Sequence, residues 1–381
     1  MLKSYLRVSM KFIIPILLLL LVGCPGPPED LDSIVCDEGY YPCGTDLQRC
    51  CPDTTSHDFA WEFDTLGILG SKLYDAAIIS DDDIWLAGQL RVEEPDDQGI
   101  LTTKWYNAVH WDGNEWSLHE AVDHSILYGV FAFGSDDVWF VSGLSILHYD
   151  GSNFEKMYEL NLGEGGSSQI VTLWGSSPSN IYFAGYNGTT VHYDGSTFIR
   201  YDTRIDTDFI DIIGTADGQH VYIIGNPVLR PGQDVVLHSS DSPYSWEEIN
   251  YPSLPNLENE PLEANSAYIA GEKLYISKKY ELWEYNIFTR VSKFIIEIDH
   301  IYEVYNFIEA ETENDVFFGG SKFDYIHYNG VSYQYVDAVQ QKYTSIIMRG
   351  GDFKKNTAIM VGSYDLNLWS GAALVALGRR N

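Results

Sequence analysis

Asn180-Ile181-Tyr182-Phe183-Ala184-Gly185, followed by His192-Tyr193-Asp194-Gly195, is a phrase that this chain repeats. One unit earlier it reads Asp137-Val138-Trp139 leading to Gly143, then His148-Tyr149-Asp150-Gly151. Each copy is a polar turn, a short apolar strand closed by glycine, and a further strand ending in a tight turn. Asp-Gly between two short apolar runs is a strong hairpin signal, and a two-residue turn of that kind asks for positive φ at both central positions. Similar turns are His110-Trp111-Asp112-Gly113 and His327-Tyr328-Asn329-Gly330.

Working outward, the slot of Tyr182 recurs at Trp85, Trp139, Tyr222, Tyr275, Phe317 and Ile359. The spacings are 54, 43, 40, 53, 42 and 42 residues, so two units carry insertions. Each unit opens with an apolar run, such as Leu127 to Phe133 or Ile170 to Trp174. A second strand follows in which alternation of period two is expected, as in Val138-Trp139-Phe140-Val141. The third run ends in the His-aromatic-Asp-Gly turn, and a fourth is opened by Trp116, Phe154, Phe198 or Tyr333. Four short antiparallel strands per unit of about 42 residues is the pattern of a propeller blade. Parallel solenoids do not use tight Asp-Gly hairpins, and a sandwich would not repeat one phrase seven times.

The ends support a ring of seven. The last unit supplies only Tyr343 to Arg349, Thr357 to Gly362 and Ala373 to Leu377, and so lacks a fourth strand. Phe59-Ala60-Trp61-Glu62-Phe63 reads as a fourth strand without a unit. Pairing the two closes the ring and removes free sheet edges. The expected fold is all-β: a seven-bladed β-propeller of four-stranded antiparallel blades, closed by an N-terminal strand.

Ser239-Ser240-Asp241-Ser242-Pro243-Tyr244-Ser245-Trp246 is similar to the Asp-box of sialidase-type propellers, with Pro243 where glycine is usual. The other units carry a turn one residue shorter, as from Asp112 to Trp116. In both, the carboxylate is expected to accept backbone N–H groups and the aromatic to wedge between blades. Trp174-Gly175-Ser176 through Gly185 and His192 to Gly195 resembles the repeats of bacterial surface lipoprotein propellers. A WD40 assignment lacks its Gly-His dipeptide. The resemblance implies a lipid-anchored seven-bladed domain, and its members share no common activity.

At the N-terminus Lys3, Arg7 and Lys11 precede the apolar run from Phe12 to Val22, too short to span a membrane as a helix and suited to export. Leu21-Val22-Gly23-Cys24 resembles the lipobox of bacterial lipoproteins, which implies a diacylated Cys24 as mature N-terminus; Met10 is an alternative start. A palmitate-bearing anchor would hold the domain at a membrane surface. Pro25 after the cysteine, by resemblance to enterobacterial sorting, favours the outer membrane. The expected organisation is a signal at 1–23, a Pro-rich and Cys-rich tether at 24–57 and the propeller at 58–381.

Cys36, Cys43, Cys50 and Cys51 fall within sixteen residues. In an exported segment they read as two disulfides. Direct pairing of adjacent Cys50 and Cys51 is strained, which leaves Cys36 and Cys43 each joined to one of them. Zinc is the competing reading, weakened by the absence of a histidine before His57.

The chain holds 55 acidic and 23 basic residues, a net charge of −32. That argues against nucleic acid as partner and for a soluble monomer. His110, His148, His192, His238 and His327 occupy equivalent slots in separate blades, so they read as hydrogen-bonded structure rather than a catalytic or metal set. Asp81-Asp82-Asp83 and Asp136-Asp137 form no EF-hand ladder and read as solvated turn residues. No phosphate loop, nucleophile elbow or His-Glu-x-x-His stretch is present, and no cofactor or metal is expected. Binding residues are expected on two long acidic loops, the insertions Leu90 to Thr103 and Tyr251 to Glu263. The functional expectation is a non-catalytic cell-envelope lipoprotein that binds or scaffolds a protein or polysaccharide. The alternative is a carbohydrate-active hydrolase or lyase, which would need aromatic and carboxylate side chains converging at the ring axis.

Overall fold

A computed structural model of the chain describes residues 35–37, 39–43, 49–52, 54–161, 168–205, 207–226, 235–240, 243–249, 264–271, 273–278, 281–297, 305–320, 324–337, 346–364 and 371–381. Cys24 and its signal, Asp241 and the insertion at 251–263 lie outside these residues.

Seven antiparallel four-stranded sheets form the blades. Blade 1 runs Lys72–Ser80, Asp83–Pro95, Leu101–Trp111 and Trp116–His119 from axis to rim. The inner strands of blades 2 to 6 are Gly129–Gly134, Thr172–Ser177, Asp208–Gly214, Ala264–Ala270 and Tyr305–Thr312. Blade 7 is Ile346–Lys354, Thr357–Tyr364 and Ala373–Arg380, completed by Phe59–Leu66. That last strand pairs along its whole length, Phe59 opposite Arg380 and Leu66 opposite Ala373, so the ring closes as the two orphan segments predict. Consecutive inner strands touch around the ring, and blade 7 returns to blade 1.

The core is distributed between blades. Seven buried clusters lie one at each interface: Trp85, Ala87, Val130 and Phe140 join blades 1 and 2, and Trp174, Tyr182, Phe209 and Ile223 join blades 3 and 4. This placement corrects the expected period-two alternation in the second strands. Val138, Trp139, Phe140 and Val141 are all buried, because a blade packs on neighbours through both faces and no face remains for water.

The Asp-Gly turns also differ from expectation. Gly113, Gly151, Gly195 and Gly330 have φ near +90°, but the preceding Asp or Asn residues do not adopt positive φ. The loops have four residues, with Tyr149 pairing Phe154 and Tyr193 pairing Phe198. Asp112, Asp150 and Asp194 each accept the backbone N–H groups two and three residues ahead, at 2.7 to 2.9 Å, and Asn329 does the same for Val331 and Ser332. The side chain thus supplies the turn's acceptor, and only the glycine must be left-handed. A Cβ on Gly195 would lie 2.6 Å from the Ser179 Cβ, so the turn also abuts the one before the second strand.

The stretch Leu90 to Thr103 is not a loop. Second and third strands of blade 1 continue past the sheet as a paired arm, Glu93 opposite Thr103 and Pro95 opposite Leu101, with Arg91 stacked 5.2 Å from the Trp105 ring centroid. Ahead of the ring, Tyr40–Cys43 pairs with Arg49–Pro52, and Cys36 is bonded to Cys50. That bond is one of the expected pairings; the side chains of Cys43 and Cys51 lie outside the described part.

Candidate functional site

The recurrent histidines stand on the third strands, off the axis. His110 bonds Asp83 at 2.9 Å, His148 bonds Asp137 at 2.8 Å, His192 bonds Asn180 at 2.8 Å and His327 bonds Asp315 at 2.7 Å. In blade 4 the partner of His238 is His220, at 2.9 Å. Four of these rings lie against the aromatic of the second strand, as His110 on Trp85 at 4.4 Å and His148 on Trp139 at 4.5 Å, whereas His327 stands 6.5 Å from Phe317. Burial pushes His192 and His238 below the ordinary imidazole value, consistent with neutral structural groups. Asp83 and Asp137 are therefore not solvated turn residues, as the sequence suggested, but partners of these rings.

Among the described residues one His and carboxylate group has metal-ligand spacing, Glu120, Asp123 and His124, all exposed. Asp81 and Asp82 do not belong to it.

The side chains that converge are on the inner strands, and sequence reasoning passed over them. A channel follows the axis, with a wide funnel of about 530 Å³ and a narrow mouth of about 270 Å³. Phe131, Phe133, Trp174, Tyr268, Glu311 and Lys354 line the funnel. Tyr74, Tyr128, Tyr186, Phe307 and Arg349 line the narrow mouth. Asp75, Asp211 and Glu309 border both and form the waist between them.

Bulges create this geometry. The register of the inner strand shifts at Leu73/Asp75, Phe209/Asp211, Ala264/Ser266, Tyr305/Phe307 and Met348/Gly350, the same place in five blades. An extra residue there turns the following side chain toward the axis. Asp75 then accepts the N–H of Ala76 and, across the interface, that of Val130 in blade 2, both at 2.9 Å. Asp211 accepts from Ile212 at 2.9 Å and from Ala267 and the Ser266 hydroxyl of blade 5 at 3.0 Å. Three residues beyond the blade 7 bulge at Arg349, Asp352 accepts from Phe353 at 2.7 Å and from Ile78 of blade 1 at 2.6 Å. Ser266 in turn accepts from Ile308 of blade 6 at 3.3 Å. These side chains are clamps that tie one inner strand to the next.

Burial dominates their acidity. It raises Asp75 to about 8, and Asp211 and Asp352 to about 6, against the opposing pull of the backbone donors. Glu309 is raised well above the carboxylate range by burial and by the neighbouring acids Asp352, Asp211 and Asp75. Its carboxyl is enclosed by protein except where it faces the channel.

A sequence signal for this site exists. Acids interrupting apolar runs, as in Phe209-Ile210-Asp211-Ile212-Ile213 and Phe307-Ile308-Glu309-Ala310, mark positions that a strand buried on both faces would otherwise fill with hydrocarbon.

Among known proteins, no family model matches the chain, and no curated protein matches it. Solved structures share its fold. YCF48 bound to D1 peptide has a TM-score of 0.59 at 12% identity, covering 86% of this chain and 99% of that one. The extracellular domain of a one-component system from B. thetaiotaomicron has a TM-score of 0.53 at 15% identity; the match covers 83% of this chain and 40% of that longer one. The Pan2 WD40 domain of Neurospora crassa has a TM-score of 0.50 at 8% identity over 83% of this chain and 90% of that chain. At these identities the shared property is the architecture: the chain is a seven-bladed β-propeller with an open, acid-lined axis.

Proposed function

We propose that this chain is a non-catalytic binding domain, held at a bacterial cell envelope by a lipid on Cys24, that receives a segment of a protein or polysaccharide in its axial channel. One observation carries the reading: the channel is open and aromatic-lined, yet three of the five carboxyls that border its funnel have both oxygens committed to donors that hold the blades together. The peptide bound by YCF48, a protein of similar fold, is consistent with a propeller of this shape serving as a receptor.

The convergence of aromatic and carboxyl groups meets the condition set for an axial hydrolase or lyase, so that second reading has an observation in its favour. A glycosidase of the usual kind needs two free carboxyl groups flanking the scissile bond. Here Asp75, Asp211 and Asp352 have both oxygens engaged and Glu311 accepts the Lys355 N–H at 3.2 Å, which leaves Glu309 without a fully free partner among the funnel carboxyls.

The test is affinity capture from envelope extracts with the full chain in detergent, beside a Trp174→Ala, Phe131→Ala variant of the funnel. Recovery of a protein or glycan by the native chain and its loss in the variant is expected. Equal recovery by both would remove the channel from the proposal. Metabolic labelling with palmitate, present in the native chain and absent from Cys24→Ala, tests the anchor.

A further inference from the structure

Arg349 occupies the bulge of the blade 7 inner strand and lines the narrow mouth. Its guanidinium carbon lies 5.1 Å from the Tyr74 ring centroid, and its Nε is buried without a hydrogen-bond partner. No carboxylate among the described residues pairs with it, although the chain carries 55 acids to 23 bases. Guanidinium groups remain charged at any physiological pH, and one withdrawn from water without an anion is unfavourable unless something else supplies the charge. The stacked tyrosine compensates only in part.

The walls around Arg349 are hydrogen-bond donors. Tyr74 and Tyr128 pack with ring centroids 5.3 Å apart, and Tyr186 lines the same mouth. Among the described residues no hydrogen bond engages their hydroxyls. Burial raises the Tyr128 and Tyr186 phenols, so both remain protonated donors. At the floor lie Asp75, Asp211 and Glu309.

We propose that the narrow mouth is a binding site for one planar carboxylate, gripped by the guanidinium fork of Arg349 and by the hydroxyls of Tyr74, Tyr128 and Tyr186. A carboxylate matches the two parallel donors of an arginine, which a spherical anion does not. Its single charge is balanced by the single cation. A phosphate dianion would exceed it, with no second cation lining the mouth among the described residues. The mouth, about 270 Å³, admits a carboxylate on a slender stem. This deepens the binding reading above and rests on it. The carboxylate belongs either to a protein chain terminus or to a small organic acid.

Calorimetric titration of the full chain in detergent distinguishes these cases. The probes are a capped tetra-alanine peptide with a free C-terminal carboxylate, the same peptide amidated, N-acetylalanine and inorganic phosphate. The free acid should bind about tenfold tighter than its amide, the difference expected of a charge-assisted bidentate pair. Arg349→Met, which keeps the stem over Tyr74, should erase that preference, and Arg349→Lys should retain part of it. Tighter binding of the peptide than of N-acetylalanine supports the site and identifies a chain end; equal binding supports it and identifies a small acid. The proposal is overturned by equal affinity for acid and amide, by phosphate binding best, by absence of binding at millimolar concentrations, or by a preference that survives Arg349→Met in a variant of unchanged melting temperature. Envelope capture by Arg349→Met equal to that of the native chain would likewise sink the carboxylate site while leaving the binding reading intact.

Discussion

Arg380 lays two guanidinium nitrogens on the carboxylate of Asp315, at 3.0 and 2.6 Å, across the boundary between blades 7 and 6. Both side chains are almost wholly buried, and Asp315 also holds His327. Arg380 stacks in addition on Phe59 and Phe353, at 5.0 and 5.4 Å. Phe59 belongs to the strand that closes the ring, so the pair fastens the closing blade to its neighbour. Removing one partner leaves an uncompensated buried charge, and Asp315→Ala should lose about 3 to 5 kcal/mol in urea denaturation. The double variant Asp315→Leu, Arg380→Met should recover part of that loss. A loss below about 1 kcal/mol for Asp315→Ala would mean that water reaches the pair.

The axial clamps make stability fall as pH rises. Folded Asp75 has its pKa raised to about 8 from 3.8, and Asp211 and Asp352 to about 6, so the folded chain holds protons that the unfolded chain has released. Stability from a raised pKa is complete below the unfolded value and is lost as pH climbs through the folded one. The free energy of unfolding, and with it the melting temperature, should therefore decline between about pH 4 and pH 8 through these groups, the Asp75 contribution being a few kcal/mol. Histidines act in the opposite direction: burial lowers His192, His238 and His57, whose stabilisation is lost as pH falls below their ordinary 6.5. Asp75→Asn should flatten the limb above pH 6 and lower stability at pH 5, since the amide places a donor against the N–H of Ala76 or Val130. An unchanged slope above pH 6 would contradict the assignment.

Gly195→Ala should destabilise by about 1 to 3 kcal/mol, because a φ of +89° is strained for alanine and the new methyl meets Ser179 at 2.6 Å. Ser179→Gly separates the two contributions. In its presence the 2.6 Å contact is removed, leaving the backbone strain and a 3.1 Å approach to the Cα at position 179, so the alanine substitution should become milder. Identical losses in both backgrounds would show that the contact is not felt.

Legibility in the sequence followed the physics of each element. Blades announced themselves because Asp194-Gly195 and its equivalents are local: a carboxylate accepting its own turn's N–H groups needs no knowledge of the rest of the fold. Closure by Phe59–Leu66 was readable from missing and surplus strands. The channel was not, since its lining is set by bulges at Tyr74, Ile210 and Arg349 that shift the facing of every later residue by one position. Nothing in the local pattern marks those bulges. The Leu90 to Thr103 arm was mistaken for a loop for a related reason, its strand character depending on a partner strand and not on an apolar run.

Closure by a distant strand carries a further consequence for assembly. Phe59 is buried against Phe317, Tyr325 and Phe353, and Trp61 donates to the Tyr325 hydroxyl at 3.3 Å while lying against Gly378. A chain starting at Gly67 would lose those contacts and uncover the edge of Ala373–Arg380, whose backbone donors and acceptors would then face solvent. Such an edge recruits a strand from another copy, so the truncated chain should elute as oligomers or aggregate. Adding a synthetic peptide of residues 58–66 in excess should restore a monomeric species, since it replaces the missing strand in register. A truncated chain that remains monomeric with an unchanged melting temperature would show that the ring holds on three strands of blade 7 alone.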